Sequence, residues 1–324
     1  DKFADASCKR NYAETVSAPR NKSLRIFMAT RSQWIDGART RTLPAAVAPV
    51  LVGTSIAEFE GSFRPLIALL ALVVSLSLQI GVNYANDYSD GIRGTDENRV
   101  GPVRLVGQKL ATPEEVKRAA FISFGISALA GLGMVLLSQV WLLVPIGIAA
   151  IAAAWFYTGG AKPYGYYGYG ELFVFVFFGL VAVAGTSASQ TGQVTILALL
   201  GGVSCGALST AILVSNNLRD LPTDKLAGKK TLAVRLGDAK TRELYRACIV
   251  VGFMMPVIMN FLDDGPVSAY IGLFAILSAR RPLHAIRSGA TGPDLIPVLA
   301  DTARLLLLFA GLLSVAIWLS PNGL

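Results

Sequence analysis

The run Pro65-Leu-Ile-Ala-Leu-Leu-Ala-Leu-Val-Val-Ser-Leu-Ser-Leu-Gln-Ile-Gly-Val-Asn-Tyr-Ala85 passes without a break into Asn86-Asp-Tyr-Ser-Asp-Gly91. Roughly 20 mostly apolar residues suffice for a helix to cross a bilayer, so the run reads as a membrane span that ends in a cluster of acids and amides. Eight further stretches have a similar character: Leu43–Ala57, Ala119–Ser138, Trp141–Thr158, Leu172–Ser189, Val194–Ser215, Ala247–Leu262, Val267–Ala279 and Leu305–Leu319. Val267–Ala279 is the shortest. Pro, Gly and other small residues are scattered through the set, as helix bundles in lipid allow. The expectation is an all-α polytopic membrane protein with about nine transmembrane helices.

Composition agrees, since 53% of the 324 residues are hydrophobic and 15% charged, with the charges bunched between the apolar runs. With nine spans, the N-terminus and the loops after spans two, four, six and eight share one side. Of the 29 Lys and Arg residues, all but Arg64 fall there or at helix ends facing it. The other side carries Glu58, Glu60, Asp263 and Asp264. The positive-inside rule makes the basic side cytoplasmic, with the chain expected in the plasma membrane. A net charge of +8 therefore follows topology and does not call for nucleic acid.

Residues 1–30 form a polar extension rich in Lys and Arg, with no apolar stretch of signal-peptide length, and residues 31–324 form the membrane domain. Met28, just before the first organised segment, reads as an alternative start. Cys8, Cys205 and Cys248 are far apart and form no CxxC, and His284 is the single histidine. A zinc site, a disulfide framework and a catalytic triad all lack the residues they need.

Two charged stretches on the basic side, Asp87–Arg118 and Arg219–Arg246, read as long loops, each opening on a related pattern. In the first, Asn83, Asn86, Asp87 and Asp90 fall three, four and seven residues apart, and in the second Asn216, Asn217, Asp220 and Asp224 do so. Such spacing puts each set on one helical face. Each is followed by a basic stretch and a polar entry to the next span, as in a diverged duplication with two acidic sites facing one cavity. Carboxylates and amides without His or Cys suit a hard cation such as Mg²⁺, which binds through one or two carboxylates plus substrate phosphates. Arg93, Arg104, Lys109, Lys162, Lys229, Lys230 and Arg235 stand on the same side to take remaining phosphate oxygens. Tyr164, Tyr166, Tyr167 and Tyr169 read mostly as an interfacial aromatic belt, with substrate contact as the alternative.

Five stretches carry a resemblance: Trp34–Pro44, Asn86–Asp96, Gly101–Val106, Tyr157–Glu171 and Asn217–Gly237. The chain resembles the UbiA superfamily of intramembrane prenyltransferases, and within it the MenA family, whose members prenylate 1,4-dihydroxy-2-naphthoate. The last two stretches are the specific ones. The resemblance implies a helix bundle around a central cavity open sideways to lipid. It implies Mg²⁺ held among Asp87, Asp90, Asp96, Asp220 and Asp224, with Asp87 and Asp96 open alternatives because Gly94 stands where the wider pattern has an acid. Asn83, Asn86, Asn217 and Lys229 are expected to bind the Mg²⁺–diphosphate, and Lys162 carries over as a diphosphate contact that acts with Arg104, Asp90 and Asp220 in catalysis. Polyprenyl diphosphate would be the donor and 1,4-dihydroxy-2-naphthoate the acceptor, with loss of diphosphate and CO₂ giving demethylmenaquinone. A UbiA-type enzyme with another aromatic acceptor is the near alternative. A secondary transporter is the distant one, disfavoured because the midspan regions carry no ionisable residue.

Overall fold

In the computed structural model, residues 29–94, 103–262 and 265–320 are described. Asp96, Cys8, Asp263, Asp264 and nearly all of the polar extension lie outside them. All the regular secondary structure of the described residues is helical, without strands. In chain order the helices are α1 (Arg31–Gly37), α2 (Pro44–Phe59), α3 (Pro65–Ile92), α4 (Pro113–Ser138), α5 (Leu143–Phe156), α6 (Gly170–Phe175), α7 (Ala182–Thr191), α8 (Ile196–Leu226), α9 (Leu232–Met259), α10 (Arg280–Arg287) and α11 (Leu295–Leu319). A π-helical turn, Val176–Val181, joins α6 to α7, and a 3₁₀ helix, Ala269–Ala279, precedes α10.

Helix starts follow local chemistry. Thr112 caps α4 reciprocally with Glu115, and Pro113 occupies the first turn, where a missing N–H costs nothing. Thr195 and Thr231 cap α8 and α9 through their hydroxyls. Gly192 closes α7 in the left-handed region, φ 84°, which its lack of a Cβ permits.

Five helical stretches among the described residues are long and apolar enough to cross a membrane: Pro65–Ile92, Pro113–Ser138, Gly170–Thr191, Ile196–Leu226 and Gly292–Leu319. A sixth is added if Arg31–Thr42 and Pro44–Phe59, bent by 51°, form one broken span. The expected nine segments map in order onto α2, α3, α4, α5, α6–α7, α8, α9, the 3₁₀ helix and α11, but length and apolarity alone support five or six crossings. The eighth segment, expected as the shortest span, is eleven residues of 3₁₀ helix. At about 2.0 Å per residue it is shorter than a hydrocarbon core roughly 30 Å thick.

Two further expectations change. Arg219–Arg246 is largely helix, because α8 runs through Pro222 to Leu226 and α9 begins at Leu232, and Asp87–Arg118 is helical at its two ends, where α3 continues to Ile92 and α4 begins at Pro113. The apolar count stops at the first amides and acids, but a helix needs only that its polar side chains find partners, as Asn83 and Asp220 do inside the protein. α11 likewise begins ten residues before the expected Leu305, with Arg304 exposed and paired to Asp301 at 3.1 Å.

α4 packs back along α3, where Gly81 leaves room for the Phe124 ring. α9 packs back along α8, and α11 lies against α2, α8 and the 3₁₀ helix. At the crossing of the π turn and α8, backbones touch: a Cβ on Gly179 would lie 2.4 Å from the Gly202 carbonyl oxygen and from Gly206 Cα. The core of α2, α8, α9 and α11 buries Ile56, Leu208, Tyr245, Phe309 and Leu313 completely. Arg64, the exception in the charge count, ties three helices together at the opposite end from the acids. Its N–H donates to Gln190 Oε1 at 3.0 Å and its guanidinium to the Leu137 carbonyl at 2.8 Å.

Candidate active site

A cavity of about 440 Å³ opens among α2 to α8. Its deep part is apolar, walled by Val50, Val74, Met134, Leu143 and Phe178 among others. Its other end collects Asn83, Asn86 and Asp90 from α3, Asn216, Asn217, Asp220 and Asp224 from α8, and Arg104 and Lys229 from the segments that follow these helices. The two clusters read from the sequence thus meet across one space. All of these side chains except Asn216, Asp224 and Lys229 are buried.

Lys229 is the link between the halves. Its Nζ lies 3.5 Å from Asp90 Oδ1 and 3.8 Å from Asp224 Oδ1, and it sits 4.5 Å from the centre of the Tyr166 ring. Asp90 also has Arg104 Nη2 at 3.9 Å and accepts a hydrogen bond from the Tyr166 hydroxyl. Asp220 takes a two-pronged contact from Arg219, with Nε at 2.7 Å and Nη2 at 2.8 Å. Positive charge already stands between carboxylates of the two halves, in a low-dielectric setting where such pairs interact strongly.

Asp87 has a different use. It does not line the cavity; Oδ2 accepts from the Leu105 N–H at 2.7 Å and Oδ1 from the Val106 N–H at 3.1 Å. It therefore fixes the segment that carries Arg104. Lys162 is exposed and lies outside the cavity lining, so among the described residues the lysine that lines the cavity beside the acids is Lys229. Arg93 donates to the carbonyls of Thr158 and Gly160, holding the connection between α5 and α6. The Lys230 N–H donates to the Tyr166 carbonyl at 2.8 Å, and Arg235 Nε to the Lys230 carbonyl at 3.2 Å.

The tyrosines divide. Tyr167 and Tyr169 are exposed, as an interfacial belt requires, whereas Tyr164 and Tyr166 line the cavity. Tyr164 stacks on Phe173 with centroids 4.0 Å apart and donates to the Ala153 carbonyl at 2.9 Å. Burial pushes its phenol above the ordinary tyrosine range, so it is a neutral donor and an aromatic wall.

Sequence reasoning passed over Glu171, Thr158 and Arg39. Glu171 is buried and accepts from Asn217 Nδ2 at 2.8 Å, and Thr158 donates to Asn86 Oδ1 at 2.7 Å. Arg39 lines the cavity from a left-handed backbone, φ 54°. All three lie in the stretches quoted for their resemblance, which was the one available signal.

The donors fit a hard divalent cation. Every candidate ligand is a carboxylate or amide oxygen, and no thiol or imidazole of the described residues lines the cavity. Among the described residues no three of His, Cys, Asp and Glu gather tightly enough to hold a metal unaided. The acids are offered instead in ones and twos from facing helices, as suits an ion that completes its shell with phosphate and water.

The UbiA prenyltransferase family pattern matches residues 46–292. A 1,4-dihydroxy-2-naphthoate octaprenyltransferase of Mycobacterium tuberculosis is 53% identical over 283 residues, covering 87% of this chain and 96% of that protein. The Escherichia coli protein of the same name is 42% identical, covering 68% and 74%. Among solved structures, a UbiA homolog from Archaeoglobus fulgidus bound to GPP and Mg²⁺ superposes with a TM-score of 0.62 at 14% identity, covering 87% of this chain and 99% of that one. That likeness speaks for the fold.

Proposed function

The chain belongs to the UbiA prenyltransferase family, and from that premise we propose that it transfers a polyprenyl group from polyprenyl diphosphate to 1,4-dihydroxy-2-naphthoate in menaquinone biosynthesis. The substrate assignment is supported by the similarity over most of the chain to proteins of that name. The observation that carries the chemistry is the convergence of Asp90 and Asp224 on Lys229 at the polar end of an apolar cavity. An anionic head group and a hydrocarbon tail require those two environments side by side.

The protein is an integral membrane enzyme. Mg²⁺ is the proposed cofactor, held among Asp90, Asp220 and Asp224 with Asn83, Asn86 and Asn217 beside them; when bound, it would neutralise charge on the diphosphate as the allylic C–O bond breaks. Asp96 remains a proposed further ligand. Lys229 and Arg104 lie nearest to donate to the leaving oxygens, and Lys162 is the proposed outer contact at the mouth. The cavity walls exclude water from the allylic cation, which would otherwise be captured by it. The naphthoate ring attacks through the carbon bearing its carboxylate, forming the C–C bond. Loss of CO₂ and return of the phenolic proton give the quinol form of demethylmenaquinone.

The proposed orientation places the acidic clusters at the cytoplasmic face of the plasma membrane, with nine helical segments in the bundle. The distribution of Lys and Arg supports it, with Arg64 alone at the far end. The test is incubation of the purified chain with Mg²⁺, a polyprenyl diphosphate and a panel of aromatic acids. Prenylation of 1,4-dihydroxy-2-naphthoate with release of CO₂ is expected, and preference for 4-hydroxybenzoate or homogentisate would overturn the acceptor assignment.

A further inference from the structure

Four asparagines line the polar end of the cavity, and the hydrogen bonds behind them fix which end of each amide faces inward. In the α3 cluster, Asn83 Nδ2 donates to the Ala38 carbonyl at 2.8 Å. In the α8 cluster, Asn217 Nδ2 donates to Glu171 Oε1 at 2.8 Å. Neither Oδ1 has a hydrogen-bond partner among the described residues, and neither is sealed off. The other two amides are reversed. Asn86 Oδ1 accepts from the Thr158 hydroxyl at 2.7 Å and Asn216 Oδ1 from Arg219 Nη2 at 2.9 Å, leaving each NH₂ group available. A backbone carbonyl only accepts and a guanidinium only donates, so the orientations of Asn83 and Asn216 follow from the partner's chemistry, and that of Asn217 follows where Glu171 is ionised. Each half thus presents one amide oxygen and one amide NH₂ group.

We propose that Glu171 is a positioning residue, whose carboxylate holds Asn217 with its Oδ1 turned into the cavity as a neutral oxygen ligand for the divalent cation. Glu171 itself does not line the cavity. It is 5% exposed, and among the described residues its Oε2 has no hydrogen-bond partner. A helix staple does not require a carboxylate there, because a buried charge is expensive and a glutamine or serine would also bridge α6 to α8. What a carboxylate adds in its ionised form is polarity, because unlike those residues it then cannot donate and so cannot tolerate a turned amide. The α3 half reaches the same polarity at Asn83 by different means, a backbone carbonyl, so the shared property is the inward oxygen. Oxygen ligands suit a hard cation, while the NH₂ groups of Asn86 and Asn216 suit phosphate oxygens.

The inference rests on the cation-binding reading above, and its test separates the two. Mn²⁺ binding to the purified full-length chain is followed by electron paramagnetic resonance with inorganic diphosphate present. Glu171→Gln can donate to Asn217 and lets the amide turn. Loss of an orienting outer partner typically weakens a metal by about 10- to 100-fold, and a drop of at least about tenfold is expected. In the double variant Glu171→Gln/Asn217→Asp, the new carboxylate accepts from Gln at one oxygen and offers the other to the cation. Its Mn²⁺ affinity is expected within about threefold of the parent. A simple staple predicts parental Mn²⁺ binding in Glu171→Gln, and that result overturns the inference, as does a double variant as weak as the single one. If Glu171→Gln does not fold, the double variant decides by the same criterion. A parent that binds no Mn²⁺ overturns the cation-binding reading and this inference with it.

Discussion

Replacing Asp87 with Asn tests whether this carboxylate holds the Arg104 segment or a cation. Asp87 is 1% exposed and receives two backbone N–H groups, from Leu105 at 2.7 Å and Val106 at 3.1 Å. Asn keeps one acceptor and turns an NH₂ group toward the other N–H, so one charge-assisted hydrogen bond is lost and a buried donor is stranded. Hydrogen bonds to charged groups contribute about 1.5–3 kcal/mol. Arg104, which approaches Asp90 at 3.9 Å, rides on the loosened segment. If the whole loss reaches the transition state, at about 1.4 kcal/mol per factor of ten, turnover falls roughly 10- to 150-fold. The Mg²⁺ concentration for half-maximal activity is expected to stay within about twofold, because both Asp87 oxygens are engaged by backbone. Transfer of a radiolabelled prenyl group across a Mg²⁺ titration measures both quantities. A half-saturation point displaced tenfold or more with little loss of maximal rate would refute the reasoning and make Asp87 a ligand.

Lys229→Ala is expected to slow turnover by about 100-fold or more, on the scale of removing one donor to developing negative charge, while Lys162→Ala costs less than about tenfold; single-turnover rates rank them. Gly179→Ala forces a Cβ to within 2.4 Å of backbone on α8 and is expected to destabilise the protein by about 1–3 kcal/mol, seen as a lower thermal midpoint in detergent. Asp238 is held below the usual aspartate range by its hydrogen bonds from Arg242, which also donates to the Ile286 and Ala290 carbonyls. A depressed acid stabilises above its unfolded pKa, near 4, and loses that contribution as pH falls further, so the midpoint of the parent is expected to drop more steeply below pH ~4 than that of Asp238→Asn. The pair is partly exposed, so the difference is small, below about 1 kcal/mol.

Hydropathy located the helical segments, and three-, four- and seven-residue spacing placed the amides and acids of Asn83–Asp90 and Asn216–Asp224 on helical faces, because both depend only on the order of residues along a helix. The extent of α3, α8 and α11 was less legible. A polar residue ends an apolar count, whereas a helix ends only when its side chains and backbone lack partners, and those for Asn83 come from Ala38, far away in the sequence. Spacing equally could not divide Asp87 from Asp90, three residues apart in one pattern but different in role: the first faces the Leu105 backbone and the second the cavity. Nor could it choose Lys229 over Lys162, since that depends on which ammonium the fold brings between Asp90 and Asp224. Glu171 is the extreme case. Its partner, Asn217, is 46 residues away, and only the packing of α6 on α8 gives the carboxylate a neighbour to orient.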